Sequence, residues 1–287
     1  MPFFAKRHGH DSLAGRSRFS PSVSEIRVNS RTLLLCLTMI LVQLLLIWAV
    51  KSEAPWLIAL DSASARAFNQ FGNANPDFMQ QVYWLTTALI IKTLPLLMIV
   101  VWCWFDSSKR PNTDKLRSQI AAGLAGSFAS ILSAMTVQKL IGHRERPFYR
   151  AEYSFTDFFG GAPQRDISSF PSDTCALVFG LGMVAFVYSR RAGLLAFAWA
   201  TFAVALPRLL TGIHFVSDVL FSILSGIVLV ILATAVLAPL IRSPMSRLLE
   251  RHSALVYALA FGILFEAGRM GGDLRPLLNG ILKAVAA

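Results

Sequence analysis

Polar and apolar residues along this chain are sorted into blocks, not into the narrow stripes of water-soluble helices. Thr32–Val50 carries no charge and is mostly apolar, and about 20 such residues suffice for a helix to cross a bilayer. Comparable runs occupy 83–105, 118–138, 174–189, 194–211 and 215–238. They lack the polar face that a soluble helical core would turn to water. The pattern predicts an all-α fold, a polytopic membrane helical bundle with six core transmembrane helices. Ala254–Gly268 is apolar but shorter, with Glu266 near its end. It is a possible seventh C-terminal membrane segment, with a helix lying on the membrane surface as the equal alternative.

The blocks divide the chain into three regions. Residues 1–31 are polar, basic and Ser-rich, the composition of a disordered cytoplasmic tail. They are too long and too polar for a signal-peptide start, so the first apolar run is expected to be an uncleaved anchor. Residues 32–238 hold the six spans, and 239–287 are expected to form a basic loop followed by the membrane-associated segment. Between the first two spans, Trp56, Leu60, Ala63 and Ala67 fall at helical spacing, with Leu57 and Phe68 beside them. A helix lying along the membrane surface has this pattern. The 140–171 connection contains Pro147, Gly160, Gly161 and Pro163 and is expected to be irregular. Span three is dense in small residues from Ala121 to Ser130. These permit close helix packing in lipid, so this span is expected to be central.

Composition agrees: 55% of the residues are hydrophobic and 15% charged, where a soluble domain carries about 25%. The net charge of +11 would point to nucleic acid in a soluble protein. Here the basic residues sort by connection instead. Lys6, Arg7, Arg16, Arg18, Arg27 and Arg31 precede span one, and Lys109, Arg110, Lys115 and Arg117 follow span two. Arg190 and Arg191 follow span four, and Arg242, Arg247 and Arg251 follow span six. Every second connection is basic, which places those connections in the cytoplasm and argues against a nucleic-acid partner. Trp48, Trp56, Trp84 and Trp104 sit at or near span ends, where interfacial aromatics collect. Cys36, Cys103 and Cys175 all fall in predicted spans, so neither a disulfide framework nor a zinc pattern is expected.

Ionisable and polar residues gather at three places. Lys139 is followed by Arg146-Pro147, Pro171-Ser172-Asp173-Thr174 leads into span four, and Arg208, His214 and Asp218 surround the turn from span five to span six. On the predicted topology all three places lie at the outer ends of spans. Lys139 and Arg146, seven residues apart, share a face if the helix continues. With Arg208 they offer three cations to a phosphoryl group, Arg as a planar fork and Lys as a point charge. Ser172 adds a hydroxyl where a helix start already favours an anion. His214 and Asp218, at i,i+4, share a helical face. Asp218 can hold one ring nitrogen and leave the other free to attack phosphorus. Taken singly, each residue has an ordinary explanation, such as a cation snorkelling to the interface.

Jointly, the three places resemble the signature of the type 2 phosphatidic acid phosphatase superfamily: Lys-x6-Arg-Pro, then Pro-Ser-Gly-His, then Ser-Arg-x5-His-x3-Asp. The first stretch matches at every defined position. The third has Pro207 in place of serine, and the second has Asp173 for glycine and Thr174 for histidine. The resemblance implies a histidine nucleophile, His214, oriented by Asp218, with Lys139, Arg146, Ser172 and Arg208 binding phosphate. It implies no metal and no cofactor. Thr174 cannot supply the proton that the family's histidine gives to the departing oxygen. Asp173 could substitute only with a strongly raised pKa, and a cation-rich pocket pushes a carboxylate the other way.

Two further residues are candidates for an auxiliary role. Lys92 lies inside span two, where an ionisable side chain is costly. It adds charge to the site, pairs internally or snorkels. His143, next to Arg144 and Glu145, is a substitute acid or part of a solvated turn. The expected activity is that of a membrane phosphatase or phosphotransferase acting on a lipid phosphate or diphosphate at the outer leaflet. A polyprenyl diphosphate is the favoured substrate, and in a bacterial cytoplasmic membrane the site would face the periplasm. The alternative is a catalytically silent protein that binds or transports a lipid phosphate.

Overall fold

The computed structural model of the protein describes residues 30–157 and 168–268. The expected N-terminal tail up to residue 29, the Gly160, Gly161 and Pro163 portion of the long connection, and the last 19 residues (269–287) lie outside the described residues. The described residues form helices and connections. α1 (Ser30–Lys51), charged only at its two ends by Arg31 and Lys51, leads into α2 (Pro55–Ala74) and α3 (Pro76–Thr87). Then come α4 (Leu89–Asp106), α5 (Thr113–Ile141), α6 (Asp173–Tyr188) and α7 (Arg190–Trp199). A wide π turn at Ala200–Ala205 joins α7 to α8 (Leu206–Leu210), and α9 (Val216–Gly268) completes the described chain.

Five of these helical segments are long and apolar enough to cross a membrane. The sixth expected span, α6, has only 16 residues, about 24 Å of helix. It need not match the bilayer, because nearly all of its side chains are buried against protein. α6 is therefore the most enclosed helix. The small residues of α5 serve it from one side, and α9 closes the other. Backbone approach is close enough that a Cβ on Gly126 would stand 2.6 Å from the Leu229 carbonyl oxygen. One on Gly226 would stand 2.4 Å from that of Ala176.

Two boundaries differ from expectation. Span two does not begin at 83, because the extended backbone of Ala88 divides α3 from α4. Just before it, Thr86 and Thr87 turn their hydroxyls back onto the carbonyls of Val82 and Tyr83, competing with the helix's own hydrogen bonds. The presumed basic loop after 238 is helical, α9 running on through Pro239 and Pro244 to a break at His252 (φ −139°, ψ 42°). Beyond it, the Tyr257 ring lies tilted against that of Phe105 (centroids 5.8 Å apart) and the Gly268 carbonyl accepts from Thr93 (3.0 Å). The 253–268 segment thus lies antiparallel along α4, with Leu255, Leu259, Phe261, Ile263 and Phe265 exposed.

α4 carries its own internal proline. Pro95 has no N–H, which releases the Ile91 carbonyl; the indole of Trp199 donates to it at 2.9 Å. That bond ties α7 to the start of α4. The far end of the bundle is held by Asp106, which accepts from Tyr188 (2.5 Å) and Arg110 (3.1 Å). The near end, where α4, α6 and α9 start and α5 and α8 finish, holds the polar cluster.

In α2 the anticipated stripe of Trp56, Leu60, Ala63 and Ala67 faces outward. The opposite face, Leu57, Asp61, Ala65 and Gly72, is buried.

Candidate active site

The turn after α8 sets the geometry. Gly212 has a positive φ of 66°, and the N–H groups of Ile213 and His214 return to the Arg208 carbonyl at 3.0 and 3.3 Å. This is the glycine-closed helix end that reverses a chain sharply. A Cβ here would meet the Phe155 ring at 2.9 Å, so the position requires glycine sterically as well. Arg208 and His214 are locked together by this one turn. His214 precedes α9 instead of lying within it, so its proximity to Asp218 does not come from helical spacing.

The His214 ring is almost fully buried, with Nδ1 2.7 Å from the Ser169 carbonyl oxygen. A carbonyl only accepts, so Nδ1 carries the hydrogen and the Nε2 lone pair is free. Asp218, the expected hydrogen-bond partner of the ring, stands 3.6 Å from Nδ1. Its oxygens are committed elsewhere. Oδ1 accepts from Arg144 Nη1 at 2.5 Å, while Oδ2 accepts from the Phe215 N–H at 2.7 Å and from the Ser169 hydroxyl. Asp218 thus fixes the ring through Ser169, whose carbonyl holds Nδ1. Burial above all holds the His214 imidazole below the ordinary histidine value. Asp218 pulls the other way, and the Arg146 and Arg208 cations reinforce burial. At neutral pH the ring is a free base.

Arg144 was expected in a solvated turn and is instead a structural hub. Its Nη2 donates to Asp61 Oδ2 at 2.7 Å, its Nη1 also reaches Ser217 Oγ at 2.9 Å, and its guanidinium lies 4.4 Å from the Phe215 ring centroid. Sequence reasoning missed Asp61, Ser169 and Ser217. One signal was available for Asp61: it is the only acid between 54 and 76, in register with Leu57 and Ala65 rather than with the outward stripe.

The anion-binding side is built around Arg146 and Arg208, both about 5% exposed or less. α5 ends at Ile141, so Lys139 and Arg146 do not share a helix face. Arg146 sits in extended backbone before Pro147 and donates to the Ile213 carbonyl at 3.1 Å. Lys139 is exposed on the last turn of α5, and His143 is exposed beyond it. Lys92, in the first turn of α4, is 7% exposed, and its charged neighbours are Arg208 and Asp173. Asp173 also bears on Arg146. Asp173 Oδ1 accepts from the Thr174 N–H at 2.6 Å and contacts its hydroxyl at 3.2 Å. Ser172 is fully buried and caps α6 by accepting from the Cys175 N–H at 3.4 Å. Its own hydroxyl proton is not consumed by that bond. Lys92, Arg146 and Arg208 thus surround one carboxylate and leave net positive charge at a helix start, an arrangement suited to a phosphoryl group.

Segments far apart in sequence make this cluster a single unit. Gln138 donates to the Pro171 carbonyl at 3.0 Å, the Ser169 N–H to that of Arg144 at 2.8 Å, and the Phe148 N–H to that of Gly212 at 2.8 Å. Residues 120–242, which hold all three sequence stretches, match the family model of the PAP2 superfamily. No curated protein and no solved structure matches the chain.

Proposed function

We propose, since residues 120–242 match the family model of the PAP2 superfamily, that the protein is a membrane phosphatase or phosphotransferase with His214 as nucleophile and a lipid diphosphate as substrate. The superfamily supports an enzyme acting on lipid phosphates, and the apolar helices support an integral membrane protein. The observation that carries the mechanism is the buried His214 with Nδ1 occupied by the Ser169 carbonyl and Nε2 free, beside Arg146 and Arg208. Nε2 attacks phosphorus and the ester or anhydride P–O bond breaks, leaving a phosphohistidine. Water or an acceptor hydroxyl then takes the phosphoryl group and regenerates the imidazole. Arg146, Arg208 and the Ser172 hydroxyl neutralise charge on the transferring oxygens.

The substrate reading follows from what stands where a proton donor would. Thr174 has no proton to give at neutral pH, and Asp173 stands in the field of three cations, Lys92, Arg146 and Arg208. A phosphate monoester leaving a diphosphate departs as a stable anion and needs a proton least. Lys92, which feels the charges of Arg208 and Asp173, supplies a third buried cation for that leaving phosphate. A polyprenyl chain suits a site carried by helices long and apolar enough to cross a membrane. The alternation of basic connections supports an outer-face location for this end.

Release of inorganic phosphate by purified protein in detergent tests the assignment, using a polyprenyl diphosphate and the monophosphate of the same tail. Faster release from the diphosphate is expected. Equal or faster release from the monophosphate contradicts the leaving-group argument. No release or transfer from either leaves the silent binding protein as the reading.

A further inference from the structure

Asp61 lies on α2, outside the segment that matches the family model, yet it is 2% exposed and fully engaged. Its Oδ1 accepts from the Ser217 N–H at 3.1 Å, and its Oδ2 accepts from the Ser217 hydroxyl at 2.6 Å and from Arg144 Nη2 at 2.7 Å. The other arm of Arg144 reaches Ser217 Oγ and Asp218 Oδ1. Asp61, Arg144 and Ser217 therefore close a ring at the first turn of α9, and the ring holds Asp218. Asp218 binds the Ser169 hydroxyl, and the Ser169 carbonyl holds His214 Nδ1. The Arg144 carbonyl also accepts the Ser169 N–H at 2.8 Å.

We propose that Asp61 is a positioning residue for the reaction assigned above, acting through Arg144 and Ser217 on Asp218 and Ser169 to fix the orientation of His214. A buried arginine fork shared by two carboxylates has one arrangement. With one carboxylate removed, the guanidinium is free to turn and the Ser217 N–H loses its acceptor. The chain of bonds from Asp61 ends on the His214 ring, whereas Arg146 feels Asp218 only as a charge that Asp61→Asn leaves in place. Chemistry and phosphate binding should therefore separate. A residue that merely supports the fold would move both.

The inference rests on His214 as nucleophile, and the two fail separately. Near-normal turnover by His214→Ala removes the catalytic assignment whatever Asp61 does. With full-length protein in detergent, kcat for the lipid diphosphate and the inhibition constant of inorganic phosphate are measured for Asp61→Asn. The expected result is kcat lower by about tenfold or more, with the phosphate constant within about twofold of wild type. Asp61→Glu, which keeps the charge, should recover part of the loss, and the same split is read from it if the asparagine variant does not fold. In an Arg144→Ala background, Asp61→Asn should change kcat by less than about twofold, since coupled residues are not additive. Three results overturn the proposal: kcat above half of wild type, kcat and phosphate affinity falling together, or the two substitutions multiplying.

Discussion

Asp173 presents the sharpest residue-scale test of the anion pocket, because it is a carboxylate where the substrate's phosphate is expected. Its removal in Asp173→Asn should tighten inhibition by inorganic phosphate by about tenfold, equivalent to ~1.4 kcal/mol. Weaker inhibition would mean that Asp173 orders the three cations instead of opposing the ligand. Lys92→Gln probes the same pocket from the other side. It should slow diphosphate turnover more than monophosphate turnover; an equal loss on both would remove Lys92 from the leaving-phosphate site. The protonation state of His214 is open to direct measurement. Diethylpyrocarbonate acylates an imidazole only in its neutral form, and burial lowers the His214 pKa. Inactivation that phosphate protects against should therefore have its midpoint below the ordinary histidine value near 6.5. A midpoint at or above that value contradicts a free-base nucleophile. At this scale the sequence disclosed the reacting residues but not their partners. Arg144 meets Asp61 across 83 positions and Ser217 across 73, and no local pattern announces such pairs.

At the scale of elements, hydropathy located the long helices because lipid demands continuous apolar length. It was blind to breaks that cost little inside protein. The Ala88 break and the run of α9 through Pro239 and Pro244 depend on local side-chain bonding and packing, which a hydropathy window averages away. The short α6 was legible as apolar but not as the enclosed centre, because its burial comes from neighbours, α5 and α9. Glycine marks where those neighbours touch. Gly226→Val should lower the melting temperature of the detergent-solubilised protein clearly, since its side chain would collide with the α6 backbone at Ala176. Gly262→Val should not, because nothing lies within 4 Å of a Cβ there. Equal melting temperatures for the two variants would contradict the close α6–α9 contact.

For the whole molecule, the account requires the polar cluster and the basic connections to lie on opposite sides of the membrane. On a background lacking Cys36, Cys103 and Cys175, Asn112→Cys should react with a membrane-impermeant maleimide only from the cytoplasmic side. Glu152→Cys should react only from the outside. Both positions are exposed, and labelling of both from one side would break the topology.

The central claim is that phosphorus passes through His214, and rapid quenching with a lipid diphosphate radiolabelled in its terminal phosphate tests it most directly. The account predicts a labelled protein that is stable to base and labile to acid, with the label on the peptide containing His214. His214→Ala should give neither label nor turnover. Asp218→Asn should form the labelled species more slowly by on the order of 10²–10³-fold, the range seen when one preorganised polar contact is lost. Label that survives acid, or turnover by His214→Ala near the wild-type rate, would contradict it.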